Sequence, residues 1–318
     1  MPADPARFAF ESRHMGTAVR VVVYAADQPT ADRAAAAAFA RIGAVEQALS
    51  DYKPDSELMR LCKANDADPG KPRPVGDDLF RCFAAGQKLA ARSNGAFDLT
   101  VGPLVRLWRT ARRTQQLPDA AEVAAAKGVA GYDKVTVDEK ARTVTLAVAG
   151  MRPDFGGIGK GYAADRAMEV LKAHGCPAAL VAVSGDIVCG DPPPGKAGWE
   201  VDIAPLSAGR PPRRLTLANR AVSTSGDLEQ FVEIGGVRYS HVLDPRTGLG
   251  LTGRRSVTVV ATCGTDADSL TKVASVLPPG EAMPILAEYR AAGLIVTKET
   301  DNAPERVVRS TDFPSDLR

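Results

Sequence analysis

The sequence predicts an α+β fold in which strands pair mainly through hairpins and helices are set against them. Three observations lead there. Residues Ala18–Tyr24 alternate, with Val19, Val21 and Val23 on one face, the period of a half-buried strand. Phe231–Ile234 and Val237–Ser240 are separated only by Gly235-Gly236, the chemistry of a tight hairpin turn. Val135–Val137 and Val144–Leu146 flank the polar run Asp138–Arg142, a second hairpin signature. Hairpins join strands as often as helices do, which disfavours a doubly wound parallel sheet.

The remaining elements follow in order. Thr30 offers an N-cap to an alanine-rich helix that carries Phe39, Ile42, Val45 and Leu49 along one stripe. A second helix reads from Asp77 to Arg92 and closes at Ser93-Asn94-Gly95. The glycine-rich loop Asp154–Gly161 leads into a helix that runs to His174, with Gly175 at its end. Strands are expected near Ala179–Val183, Trp199–Ile203 and Arg214–Leu217, the first two joined by the surface loop Asp191-Pro-Pro-Pro-Gly-Lys196. Val257–Ala261 is another strand, followed by a helix over Ala267–Val276 and a strand at Leu294–Val296. Residues 1–12 read as an N-terminal arm, 13–300 as one catalytic domain, and 301–318 as a polar, loose tail.

Composition narrows the function classes. Of 318 residues, 45% are hydrophobic and 25% charged, enough to bury a core. Lys plus Arg number 40 against 38 Asp plus Glu, and a chain so near neutrality is poorly suited to coating a nucleic acid. The apolar runs are far shorter than a membrane span. Five scattered cysteines with no CxxC pair argue against a disulfide framework or a structural zinc site and read as small buried hydrophobes. Met1-Pro-Ala-Asp-Pro-Ala-Arg7 contains no apolar stretch of the secretory kind.

The strongest chemical signal is Asp154-Phe-Gly-Gly-Ile-Gly-Lys-Gly161. Glycines let backbone approach a ligand, a helix start presents free N–H groups, and Lys160 adds charge, a combination suited to a pyrophosphate. It is no Walker loop, and its GxGxxA fit lacks the preceding hydrophobic strand of a Rossmann unit. The alternative is a turn whose glycines serve helix packing. Of three histidines, His174 suits a helix C-terminus, whereas His241 sits where a strand meets the loop Asp244-Pro-Arg-Thr-Gly248, as a general base beside a carboxylate would. Ser184-Gly-Asp186 and Ser223-Thr-Ser-Gly-Asp227 are turns that bind ribose or phosphate, or cap a helix. No GxSxG elbow supports a serine hydrolase. Asp266-Ala-Asp268 in a first helical turn is either dipole capping or part of a hard-cation site.

Several of these segments, in order, resemble the ApbE family of flavin transferases, which move FMN from FAD onto a protein threonine or serine. The matching pieces are His14-Met-Gly-Thr17, Leu49-Ser-Asp-Tyr52 with Ser56-Glu-Leu58, and Gly95-Ala-Phe-Asp-Leu-Thr-Val-Gly-Pro-Leu104. They continue with Asp154–Tyr162, Ser223–Asp227, Tyr239-Ser-His241 with Asp244–Gly248, and Ala267-Asp268.

The resemblance implies an α+β fold of two related subdomains of mixed or antiparallel sheet, with FAD between them. It implies that Met15, Tyr52 and the stretch Asp98, Leu99, Thr100 and Val101 hold the flavin and adenosine parts of FAD. Asp154 and Lys160 match FAD contacts on the glycine loop, and Val242 one beside the catalytic segment. His241 matches the histidine required for transfer, tuned on this reading by Asp244. The Gly157 carbonyl and the Asp268 side chain match ligands of Mg2+. Partners implied are FAD and an acceptor redox protein, in an extracytoplasmic or periplasmic setting, with membrane contact only through the acceptor or a leader or anchor. The alternative is a relative that binds FAD, or hydrolyses it to FMN and AMP, without modifying a protein. One position departs from the family pattern. Four residues after the metal-binding Asp the family has Thr; here it is Lys272, with Thr271 one earlier. Either Thr271 approaches the metal from the same helix face, or the Lys272 ammonium takes the cation's place.

Overall fold

The computed structural model describes residues 4–207, 211–226, 231–299 and 303–314. The chain begins with β1 (Ala6–His14), β2 (Thr17–Ala25), α1 (Gln28–Leu49), α2 (Glu57–Ala67), β3 (Arg73–Pro74) and α3 (Asp77–Arg92). It continues with α4 (Gly102–Thr114), α5 (Ala120–Gly128), β4 (Val135–Asp138), β5 (Thr143–Leu146) and α6 (Gly159–Ala173). Then come β6 (Ala179–Val183), β7 (Asp186–Cys189), β8 (Trp199–Ile203), β9 (Arg213–Leu217) and β10 (Arg220–Gly226). The last third holds β11 (Phe231–Ile234), β12 (Val237–Asp244), β13 (Leu249–Thr252), β14 (Arg254–Ala261), α7 (Gly264–Val276), α8 (Pro279–Glu288), β15 (Ala292–Lys298) and β16 (Arg306–Arg309).

The α+β expectation holds: among the described residues the strands of the main sheet pair antiparallel, in the order β1-β2-β6-β7-β10-β14-β15-β16. Alternation along its strands feeds two layers. Val19, Val21, Val23, Val181 and Val259 face α1, α6 and α7, while Val22, Val222 and Val260 face Trp199, Val201 and Leu215 of the β8–β9 ribbon. Each fully buried valine stabilises the fold by roughly 1.5–3 kcal/mol. The alanines of α1 do more than favour helix. Ala31, Ala34, Ala35 and Ala38 are buried and let α1 lie close to α6, which presents Ala163, Ala164 and Ala167 in the same core.

Several expectations need correction. The N-cap of α1 is Asp27, whose carboxylate accepts the Thr30 backbone N–H at 2.8 Å, so the helix starts before Thr30. Within the N-terminal arm, residues 6–12 form most of β1, tied to β2 through a turn with both Met15 and Gly16 at positive φ. Within the polar tail, β16 adds an edge strand to β15 and Phe313 is buried. A few apolar anchors suffice there because the strand needs only backbone pairing on one side. Cys263 is half-buried as the N-cap residue of α7, unlike the other four cysteines. Among the described residues, no helix is long and apolar enough to cross a membrane.

Candidate active site

A cleft of about 650 Å³ opens beside the β1–β2 turn and the glycine loop. It collects Met15, Tyr52 and the loop residues Asp154 and Lys160, from three segments far apart in sequence, together with Arg109 and Ser184. Met15 is held at φ 52, with its methyl close to Gly159 at the start of α6. Tyr52 is 74% exposed, and the Arg109 guanidinium lies over its ring at 4.4 Å. Arg109 also binds Asp51 at 2.6 Å and Asp154 at 3.2 Å. The other Asp154 oxygen accepts the Gly156 N–H at 2.7 Å and shapes the loop. Burial and the neighbouring Asp51 charge push the Asp154 carboxyl above its ordinary value.

Lys160 carries the cleft lining into a buried charge cluster. Lys160 Nζ is 2.9 Å from Asp186 Oδ2 and 3.5 Å from Asp268 Oδ2. Asp268 is fully buried, accepts the Gly161 N–H at 3.2 Å, and meets Lys272 Nζ at 3.1 Å through its other oxygen. Burial alone would lower the Lys160 pKa, but the Asp268 and Asp186 charges raise it above the lysine norm. Burial likewise opposes ionisation of both aspartates. Asp268 touches two ammonium groups and is held below the carboxylate norm, whereas Asp186, facing the Asp268 charge as well, is pushed up.

The two serine–acid segments meet here, but Ser223–Gly226 is the end of strand β10 and not the expected turn. Ser184 and Gly185 make the β6–β7 turn, and Asp186 pairs with Ser223 across β7 and β10, accepting its hydroxyl at 2.5 Å. Asp186 therefore caps no helix. It is a site residue that the sequence flagged without placing, and Asp227 lies outside the described residues.

The loop glycines divide the two roles left open. A Cβ built on Gly161 would sit 2.0 Å from the Gly264 carbonyl oxygen, so Gly161 is there for the crossing of α6 and α7. Gly156 faces the cleft.

The stretch 98–101 is held by both side-chain and backbone bonds. Asp98 accepts the Thr100 N–H and hydroxyl, both at 2.7 Å, and the Tyr132 N–H at 3.0 Å; burial raises its pKa. Leu99 and Thr100 are buried, the Leu99 carbonyl accepts the Asp154 N–H at 2.7 Å, and Val101 bridges to Arg152. Leu99 thus ties this stretch to the glycine loop, and none of the four residues is among those lining the cleft.

His241 stands within a strand and not at its end, because β12 runs on to Asp244. Between Tyr239 and Leu243 the register with β13 shifts, a bulge that carries Ser240, His241 and Val242. Val242 lines a smaller cavity of about 270 Å³ with Ser225 and Ser240. Asp244 was expected to tune His241. Its carboxylate is forked by Arg246 at 2.9 and 3.0 Å. Trp108 of α4 donates its indole N–H to the Ser240 carbonyl at 3.2 Å, and Trp108 and Arg109 thus tie one helix to both the bulge and the cleft. The sequence reading missed α4, although Pro103 in its first turn and the spacing Leu104, Trp108, Ala111 mark it as a helix.

Lys272 belongs to the same arrangement. Its stem packs on Gly157, and its ammonium reaches both Asp268 and the Thr271 hydroxyl, the latter at 2.8 Å. Thr271 donates in turn to the Asp268 carbonyl at 2.7 Å. Of the ligands implied for Mg2+, the Asp268 side chain and Thr271 are already joined by a cation. Among the described residues no three carboxylate, histidine or cysteine groups gather to hold a metal. The donor set does not fit a divalent ion as it stands.

Residues 15–295 match the ApbE family. The chain belongs to the ApbE family. Among ApbE relatives, an FAD:protein FMN transferase of Klebsiella pneumoniae (strain 342) is 33% identical over 308 residues, covering 94% of this chain and 87% of that one. One from Escherichia coli (strain K12) is 30% identical, covering 92% and 84%. Among solved structures, the apo form of the Pseudomonas stutzeri flavinyl transferase ApbE superposes with a TM-score of 0.83 at 30% identity, covering 97% and 96%. The flavin transferase ApbE from Vibrio cholerae reaches 0.86 at 26% identity, covering 97% and 98%. The fold, from the main sheet to the glycine loop, is thus an ApbE fold.

Proposed function

We propose that this ApbE chain is an FAD:protein FMN transferase, which moves FMN from FAD to a threonine or serine hydroxyl of an acceptor redox protein and releases AMP. The observation that carries the reading is the cleft, in which Met15, Tyr52, Asp154 and Lys160 meet although nearly 150 residues separate the first from the last. Its volume suits a dinucleotide lying partly in the open. In this reading Lys160 neutralises the diphosphate, and Tyr52 with Arg109 offers a flat, cationic surface to a ring. The acceptor hydroxyl oxygen attacks the phosphorus on the FMN side. Its proton passes to His241, the bridging P–O bond breaks, and AMP leaves with the electron pair. No step runs through magnesium, because an ammonium already sits between the groups that would bind it.

The test is incubation of a candidate acceptor with this chain and FAD, followed by mass spectrometry of the acceptor and chromatography of the nucleotide. An FMN adduct with equimolar AMP is expected, lost when the acceptor hydroxyl is replaced. FMN and AMP free in solution, with no adduct, would make the chain a hydrolase. We also propose an extracytoplasmic site of action, which fractionation of cells expressing the native gene checks; recovery wholly in the cytosol refutes it.

A further inference from the structure

The charge cluster around Lys160, which lines the cleft, contains two acids, Asp186 and Asp268, and two ammonium groups, those of Lys160 and Lys272. Its formal charge is zero with Lys272 and −1 without it. Lys272 is therefore what balances the second buried carboxylate, as a bound cation would. Its place is also well specified. The stem lies against Gly157, where any Cβ would meet Lys272 Cγ at 3.1 Å, and two of its three N–H donors are directed at Asp268 Oδ1 and Thr271 Oγ1. The third has no partner among the described residues, and the side chain keeps 20% of its surface exposed beside the loop that lines the cleft. A divalent ion entering here would have to displace a like charge from a carboxylate that is itself fully buried.

We propose that the Lys272 ammonium takes the place of a divalent cation beside Asp268, so that this chain binds a dinucleotide diphosphate with the ammonium groups of Lys160 and Lys272 and without a metal. The proposal rests on reading the cleft as the FAD site. Two lysines offer point charges and N–H donors to phosphate oxygens, and a site built on them is indifferent to chelators.

The experiment is calorimetric titration of FAD into the wild type, Lys272→Thr and Lys272→Met, each in EDTA and in excess magnesium. Magnesium alone is titrated into each protein, and thermal melts confirm that the variants are folded. Wild-type affinity for FAD should agree within about twofold between the two conditions, with no heat from magnesium alone. In EDTA both variants should lose about tenfold or more in FAD affinity, the loss of one charge-assisted contact. Lys272→Thr should regain most of it with magnesium and bind magnesium by itself. A wild type that binds magnesium alone and loses tenfold in EDTA overturns the proposal, as do variants that bind FAD like the wild type in EDTA. A wild type that binds no FAD under either condition overturns the function reading and this proposal together, and is told apart from the other failures by that result.

Discussion

The indole N–H of Trp108 bonds to the main-chain carbonyl of Ser240, the residue before His241. The Trp108 ring also meets Tyr239 edge-on at 5.4 Å and fills the space over Gly250, where a Cβ would lie 2.4 Å from the ring. One side chain thus holds the bulge that presents His241, while the next residue, Arg109, binds Asp154 at the cleft. Trp108→Phe keeps most of the bulk and removes the hydrogen bond. It should cost about 1 kcal/mol of stability and lower kcat for transfer while leaving FAD affinity unchanged. Denaturant melts and FAD titration check both halves, and a loss confined to FAD binding would contradict the role given to Trp108.

Lys160→Ala should weaken FAD binding by about one to two orders of magnitude through loss of a charge-assisted contact. It should also destabilise the protein by about 3–5 kcal/mol, because Asp186 and Asp268 lose a shared buried partner. Titration well below the melting temperature separates the two effects. Unchanged affinity in the folded variant would leave the loop lysine a purely structural role.

His241→Ala should abolish transfer with FAD affinity nearly intact, since a base acting on the incoming hydroxyl contributes little to holding the dinucleotide. The readout is adduct formation against a binding isotherm for the same preparation. Wild-type flavinylation by the variant would show that another group takes the proton or that none is needed.

Gly161→Ala should be among the most damaging single methyl additions. The new carbon would press on the Gly264 carbonyl, a backbone atom that cannot swing aside, and on Asp268 Cβ at 2.8 Å. Overpacking of this kind costs roughly 1–3 kcal/mol or more. Gly128→Ala is the control, because nothing lies within 4 Å of its added carbon. Thermal melts of the pair should show a large loss for the first and little for the second.

Local physics made much of this protein legible in its sequence. The valine alternation of β2, the Gly235-Gly236 turn and the helix over Asp77–Arg92 depend on side-chain period and on backbone preference within a few residues, and they appear where those rules put them. Resemblance in motif order similarly marked Met15, Tyr52, Asp154 and Lys160, which the fold brings to one cleft.

Only the tertiary structure decided which partner each charge has. It joined Asp186 to Lys160 and Ser223 by pairing β7 with β10, turned Asp244 toward Arg246, and brought Arg109 from an unread helix to Asp154. It also set Lys272 between Asp268 and Thr271, a choice the helix spacing left open because positions three and four residues on share one face. The reason is range. Hydrophobic period is written into neighbouring residues, whereas a buried charge is stabilised by whichever opposite charge or hydrogen-bond donor the fold brings within about 3 Å, and that group can come from a hundred residues away.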